Sequence, residues 1–129
     1  MSYKIPENLL YSEQHEWVMI EDNMAKIGIT DFAQKELGDI VYIDVPKINQ
    51  KVEFMKVCGS IESVKSVSDL YSPVEGIVID INEEVINKPE LLNQDPYTYW
   101  IFKVELKNFD KYQNKLMTAE KYKEYIGAS

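Results

Sequence analysis

The sequence has few of the residues from which disulfides and metal centres are built. It contains one cysteine, Cys58, and one histidine, His15, among 129 residues. A single cysteine cannot form an internal disulfide and is typical of a chain in a reducing compartment. One histidine excludes a site with several histidine ligands, so we expect no metal centre.

Positive charge and long apolar runs are also scarce. The chain has 14 basic and 22 acidic residues and a formal net charge of -8. Nucleic-acid binding depends on basic residues clustered on one face, so we expect no nucleic-acid partner, whereas an acidic surface favours basic protein partners. No stretch approaches the ~20 apolar residues of a membrane span. The start, "MSYKIPENLL", has neither an apolar signal core nor an arginine-rich transit pattern, which predicts a bacterial cytoplasmic protein, although a trimmed mitochondrial chain would look the same.

Short runs of alternating apolar residues are what the chain does contain. They cover 25–29, 41–45, 77–82 and 100–106, and turn residues separate them. This pattern predicts small strands in a sandwich or barrel, and the length predicts one domain over 1–129. Within the second run we expect one strand face to carry Val41, Ile43 and Val45.

Helical signals are fewer. In "DFAQKELG" we expect Asp31 to cap a short helix, Gln34 to return the capping bond and Gly38 to end the helix. The tail from Asn108 predicts one or two amphipathic helices. The polar segment 82–99 predicts a surface loop with one helical turn.

Lys65 lies at the centre of "SIESVKSVSDLYSPVEG", residues 60–76, and no carboxylate adjoins it. The segments "KVCGSIES" and "VSDLYSPV" predict a β-hairpin joined through Ser-Val-Lys-Ser, which would direct the amine into water. One interpretation is an ordinary surface lysine, the usual role of this residue type. The other is a point of covalent acylation, which needs an open amine on a rigid turn and removes the charge. The spacing alone leaves both open.

Five segments together resemble the H protein of the glycine cleavage system: "YSEQHEWV", "KIGITDFAQ", "GDIVYIDVP", "GSIESVKSVSDLYSPVEG" and "INKPELLNQDPY". The similarity runs from about Leu10 to the C-terminal helix, and "ESVK" followed by "SD" and "SPV-G" is its most specific part. It implies (R)-lipoate in amide linkage on Lys65. It also implies a mainly β, barrel-sandwich hybrid of two small sheets, with short peripheral helices and a C-terminal helix. Val64 and Ser66 flank the lysine here. Biotin carriers and the lipoyl domains of 2-oxo acid dehydrogenases usually have other residues at these two positions, so the sequence resembles both classes less well.

The resemblance implies a carrier with no catalytic residue of its own. A pyridoxal-phosphate glycine decarboxylase (P protein) would load an aminomethyl group, and a folate-dependent aminomethyltransferase (T protein) would remove it. Dihydrolipoyl dehydrogenase (L protein) would then reoxidise the dithiol, after a lipoylating enzyme had attached the arm to a monomeric chain. Two alternatives are an H-like donor of lipoyl or octanoyl groups to other proteins, and an unmodified interaction module.

The resemblance also assigns three carboxylates. Glu16 and Asp69 would hold the ammonium of the loaded arm, and Glu62 would guide the lipoylating enzyme. The alternatives are an exposed strand position for Glu16, where an isolated pair contributes little, and a turn-forming role for Asp69.

Three positions depart from the family pattern. Asn49 and Met55 stand where glycine is usual, and we expect Asn49 to keep its turn and Met55 to reshape its loop. The segment "PYTYW", 96–100, lacks a glycine and is one residue shorter, which predicts a stiffer loop near the arm's cleft. These departures bear on cargo fit and partner pairing but not on lipoylation.

Overall fold

Two antiparallel sheets form the fold of the computed structural model, which describes residues 2–127. Within those residues, a six-stranded sheet has the order β1-β2-β3-β9-β8-β5 and a three-stranded sheet the order β4-β6-β7. The mainly β architecture of two sheets with short helices and a C-terminal helix is thus confirmed. The strands are Leu10–Tyr11 (β1), Glu16–Glu21 (β2), Met24–Ile29 (β3), Ile40–Asp44 (β4), Lys51–Val52 (β5), Val57–Ser63 (β6), Val67–Tyr71 (β7), Gly76–Ile81 (β8) and Phe102–Leu106 (β9). The helices are Asp31–Leu37 (α1), Glu83–Asn87 (α2), Leu91–Gln94 (α3), Phe109–Tyr112 (α4) and Ala119–Tyr125 (α5), with a 3-10 turn at Gln113–Lys115.

The main core contains apolar side chains from both sheets. In the larger sheet Ala25 lies opposite Val104 and Ile27 opposite Phe102, and all four are buried. Ile61 of β6 is one of the residues that the smaller sheet adds to the same cluster. Because apolar burial is the main favourable term in folding, this cluster fixes the two sheets against each other.

One strand face differs from the sequence prediction. Ile40 and Ile43 are buried, whereas Val41 is 50% exposed. The pairing of β4 with β6 shifts register between Ile40 and Tyr42, so a bulge turns Val41 outward. The expectation that Val41 and Ile43 share one face is therefore wrong.

Helix α1 lies where the sequence predicts it, but its cap is one residue earlier. Thr30 Oγ1 accepts a hydrogen bond from Ala33 N at 3.1 Å. Gln34 Nε2 donates to Asp31 Oδ1 at 2.8 Å and returns no bond to the cap, so the predicted capping by Asp31 is wrong. Gly38 ends the helix as predicted, with a φ of 78° that favours glycine.

The later helices differ from expectation in number. Segment 82–99 forms α2 and α3 in place of one helical turn. The tail forms α4, a 3-10 turn and α5, and its residues 128 and 129 lie outside the described part of the chain. No helix among residues 2–127 is long and apolar enough to cross a membrane.

The C-terminal helix packs on the chain before β2. The rings of Tyr122 and Tyr11 stack with centroids 4.7 Å apart. The hydroxyl of Tyr122 hydrogen-bonds Thr30 Oγ1 at 2.8 Å and His15 Nδ1 at 2.9 Å. These contacts hold the connection from β1 to β2, where Glu16 begins the second strand.

Candidate functional site

Lys65 lies in the tight turn between β6 and β7, so the predicted hairpin is confirmed. Ser63 N donates to Ser66 O at 2.8 Å, which closes the turn. Ser63 Oγ accepts from Ser66 N at 3.1 Å and from Lys65 N at 3.3 Å. The buried serine thus uses its hydroxyl to order the turn that presents the lysine.

The side chain of Lys65 is exposed, and none of the ion pairs within residues 2–127 includes it. The flanking Val64 and Val67 are 71% and 68% exposed. The stem of the lysine passes over Gly38, because a methyl group built on that glycine would lie 3.5 Å from Lys65 Cε. The hairpin therefore presents an accessible amine whose aliphatic stem packs on Gly38.

Two clefts follow the free edge of β7 away from this turn. The first, about 410 Å³, lies between residues 66–68 and helix α1. The second, about 490 Å³, is lined by Tyr71, Phe54 and Met55 among others. Gln14 lines both. A flexible group attached at the turn would thus find space along this edge.

Glu16 lies between the sheets and is only 1% exposed. Ser12 Oγ donates to Glu16 Oε1, and Tyr71 N donates to Glu16 Oε2 at 3.3 Å. Burial raises the pKa of Glu16 to about 8, although the bonds from Ser12 and Tyr71 oppose this change. The carboxyl group ties β2 to the end of β7. The interpretation as an exposed strand residue is wrong.

The other two carboxylates lie on the outer face of the smaller sheet. Asp69 is exposed opposite Ser60, and Glu62 is exposed opposite Val67. Asp69 belongs to β7, so its interpretation as a turn residue is wrong. Within the described residues no hydrogen bond or ion pair joins Asp69 to Glu16. The structure groups Glu62 and Asp69 on one face and keeps Glu16 inside.

Sequence reasoning gave no role at the site to Ser12 or Asp39. Ser12 is the partner of Glu16, and Asp39 O accepts a hydrogen bond from Val64 N at 3.0 Å. The sequence predicts only that Gly38 ends α1, whereas in the structure Gly38 also lies beneath the lysine stem. These roles depend on contacts between distant segments, which a local pattern does not reveal.

The comparisons with known proteins agree with this geometry. The model of the family "Glycine cleavage H-protein" matches residues 9–129. The chain belongs to the glycine cleavage H-protein family. It is 53% identical over 121 residues to the glycine cleavage system H protein of Bacillus cereus, covering 93% of this chain and 94% of that one. It is 48% identical over 125 residues to the probable glycine cleavage system H protein of Pyrococcus furiosus, with 96% and 93% covered. The crystal structure of a glycine cleavage system H protein from Mycobacterium marinum superposes with a TM-score of 0.85 at 31% identity, covering 95% of this chain and 99% of that one.

Two positions at which the resemblance predicts glycine have a backbone conformation that favours glycine. Asn49 has a φ of 76° and Met55 a φ of 58°. Asparagine tolerates this left-handed region, so the turn at Asn49 survives. Met55 also adopts it, and Met55 N donates to Ser72 O at 2.6 Å. Met55 also lines the second cleft.

The loop 96–100 packs against Trp17 of β2 and against the N-terminal segment. Pro96 O accepts from Trp17 Nε1 at 2.9 Å, and Tyr97 OH donates to Lys4 O at 2.5 Å. None of its residues lines either cleft beside the hairpin. The expectation that this loop lies near the arm's cleft gains no support from these contacts.

We expect replacement of Met55 by glycine to raise the free energy of unfolding by about 1 kcal/mol. A left-handed conformation costs a side-chain-bearing residue roughly 1–2 kcal/mol, and glycine avoids most of this cost. Asn49→Gly is the matched control and should change stability less, because asparagine tolerates the left-handed region. Urea denaturation measures both. A less stable Met55→Gly variant would mean that packing of the methionine outweighs the backbone term.

Proposed function

We propose that the chain is the lipoyl-bearing carrier of the glycine cleavage system, with (R)-lipoate in amide linkage on Lys65. Membership of the H-protein family supports the carrier role. The observation that carries the assignment to Lys65 is its exposed amine at the tip of a turn ordered by Ser63. Acylation needs an accessible nitrogen free of competing charge, and the ion pairs within residues 2–127 leave this one unpaired.

The surroundings of Lys65 fit an attached arm in two respects. Acylation converts the ammonium of Lys65 into an uncharged amide. The modified side chain can therefore lie along apolar surface without burying a charge. The cleft between the hairpin and α1 offers about 410 Å³ for such an arm, and the cleft beside Tyr71 offers about 490 Å³. When bound, the lipoyl group supplies a disulfide that can be reduced and substituted, and that chemistry belongs to the cofactor.

The chain's own residues would hold and orient the arm. The turn sets where the arm starts, and residues 66–68 with Gln14 flank its path. Glu16 lines neither cleft but bonds Ser12, which lines the second, and we infer that an opening there would let its carboxylate contact the ammonium of a loaded arm. Asp69 lies on the outer face of the smaller sheet and would contact the ammonium from the outside of the cleft. This clamp requires Glu16 to lose its proton, which an adjacent cation favours.

Partner enzymes would meet the acidic outer face beside the turn. Glu62 and Asp69 are exposed there, within reach of the hairpin tip. We infer that a lipoylating enzyme uses Glu62, and that glycine decarboxylase, aminomethyltransferase and dihydrolipoyl dehydrogenase dock in turn. A tethered arm makes each transfer local, because its reach sets its effective concentration. In this scheme the chain itself catalyses no step. Its location in the cytoplasm stays a prediction.

Exchange between glycine and bicarbonate tests the carrier role. Purified decarboxylase should catalyse exchange with the lipoylated chain and not with the unmodified chain, because the acceptor disulfide is then missing. Intact mass before each assay reports the modification. A lipoylated chain that supports no exchange but passes its lipoyl or octanoyl group to another protein would instead establish the donor function. A chain that no lipoylating enzyme modifies would leave the role of an interaction module.

A further inference from the structure

The connection between α1 and β4 is held by one side chain from helix α3. Asn93 Nδ2 donates to Gly38 O at 2.8 Å and to Gln34 Oε1 at 3.0 Å. Its Oδ1 accepts from Ile40 N at 2.9 Å. The half-buried carboxamide therefore fixes the backbone on both sides of Asp39.

This connection in turn supports the hairpin tip. Asp39 O accepts a hydrogen bond from Val64 N at 3.0 Å, which ties the turn to a part of the chain outside the hairpin. The adjacent Gly38 lies beneath the aliphatic stem of Lys65. A continuous set of contacts thus leads from α3, through Gly38 and Asp39, to the backbone next to Lys65.

We propose that Asn93 is a positioning residue for Lys65, an inference that rests on the attachment role proposed above. Loss of the carboxamide would leave Gly38 O without this donor and Ile40 N without this acceptor. The carbonyl of Asp39 would no longer be fixed, and the turn would sample more conformations. An enzyme that acts on Lys65 Nζ depends on its placement, because small displacements of a reacting group reduce rates strongly.

The contacts require an asparagine. Its side chain combines an acceptor with two donors, whereas aspartate has almost the same shape but only accepts. Asn93→Asp therefore keeps the bond from Ile40 N and loses both donated bonds. It also sets a carboxylate against Gly38 O, which is unfavourable. This variant separates the positioning role from simple filling of space.

Amide hydrogen exchange on the unmodified chain tests the inference directly. In Asn93→Asp we expect the amide of Val64 to exchange about tenfold faster, because its acceptor opens more often. Asn82→Asp is the matched control: Asn82 Nδ2 donates to Trp100 O at 2.8 Å and its Oδ1 accepts from Glu84 N at 3.2 Å, away from the hairpin. It should leave Val64 unchanged. Unchanged exchange of Val64 in a folded Asn93→Asp variant would overturn the proposal.

The wild-type chain gives an independent test if that variant does not fold. The amides of Val64 and Ile40 should exchange through one shared local opening, with the same dependence on denaturant. Independent exchange of the two amides would contradict a common support by Asn93.

The rate of lipoylation supplies the functional readout. With a lipoate–protein ligase, free lipoate and ATP, Asn93→Asp should reduce kcat/KM for the chain about tenfold. Asn82→Asp should match wild type. An equal rate for both variants would overturn the positioning role. If wild-type Lys65 itself accepts no lipoate, the proposed function fails, and the exchange of Val64 still decides the role of Asn93.

Discussion

Replacement of Lys65 by arginine is expected to abolish both lipoyl addition and carrier activity. Arginine keeps the positive charge and a similar length, but its guanidinium stays protonated and is a poor acyl acceptor. Glycine–bicarbonate exchange should fall by about a hundredfold or more, since the tether that gives the arm its effective concentration is lost. Intact mass and the exchange assay measure the two effects on the same preparations.

Lys56→Arg is the matched control for this variant. Lys56 is also exposed, and it lies just before β6, at the other end of the strand that leads to the turn. The control should gain a lipoyl group and support exchange as wild type does. A lipoyl-sized mass increase in Lys65→Arg would move the attachment site to another lysine and contradict the assignment.

The hairpin could be predicted from sequence because its determinants are local. The two β-prone segments on either side of Lys65 predict two strands, and the short Ser-Val-Lys-Ser link between them favours a tight turn. The prediction from local alternation was wrong for β4. A bulge between Ile40 and Tyr42 adds a residue on one strand, which reverses the face of Val41 without any signal in the alternation.

The site beyond the turn could not be predicted in the same way, because it is built from long-range contacts. The amide that bonds Glu16 belongs to Tyr71, 55 positions later. Asn93 reaches Ile40 across 53 positions. The family resemblance of "HEW" predicts that Glu16 acts near the arm, but only the packing of the two sheets determines that Glu16 is buried. Its protonation state follows from that burial.

The buried Glu16 is expected to make stability fall as pH rises. Its pKa is about 8 in the folded chain against an ordinary value of 4.5, so the folded state binds the proton more tightly than the unfolded state. The stabilising contribution is complete below about pH 4.5 and is lost as pH rises through 8. Relative to Glu16→Gln, wild type should lose on the order of a few kcal/mol of unfolding free energy over this interval. Denaturant titrations from about pH 5 to about pH 9 measure the difference.

Glutamine is the informative replacement because it cannot titrate, and its one carbonyl oxygen can still accept from Tyr71 N while its amide group donates to Ser12 Oγ. Glu62→Gln is the control, because it makes the same replacement at an exposed position on the outer face of the smaller sheet. Parallel stability profiles for wild type and Glu16→Gln would mean that Glu16 titrates at its ordinary pKa.

The Glu16→Gln variant also tests the clamp, because a contact between Glu16 and the ammonium of a loaded arm should prolong the lifetime of that arm. An unchanged lifetime in Glu16→Gln and in Glu16→Ala would remove Glu16 from the clamp and leave it the structural role of joining β2 to β7.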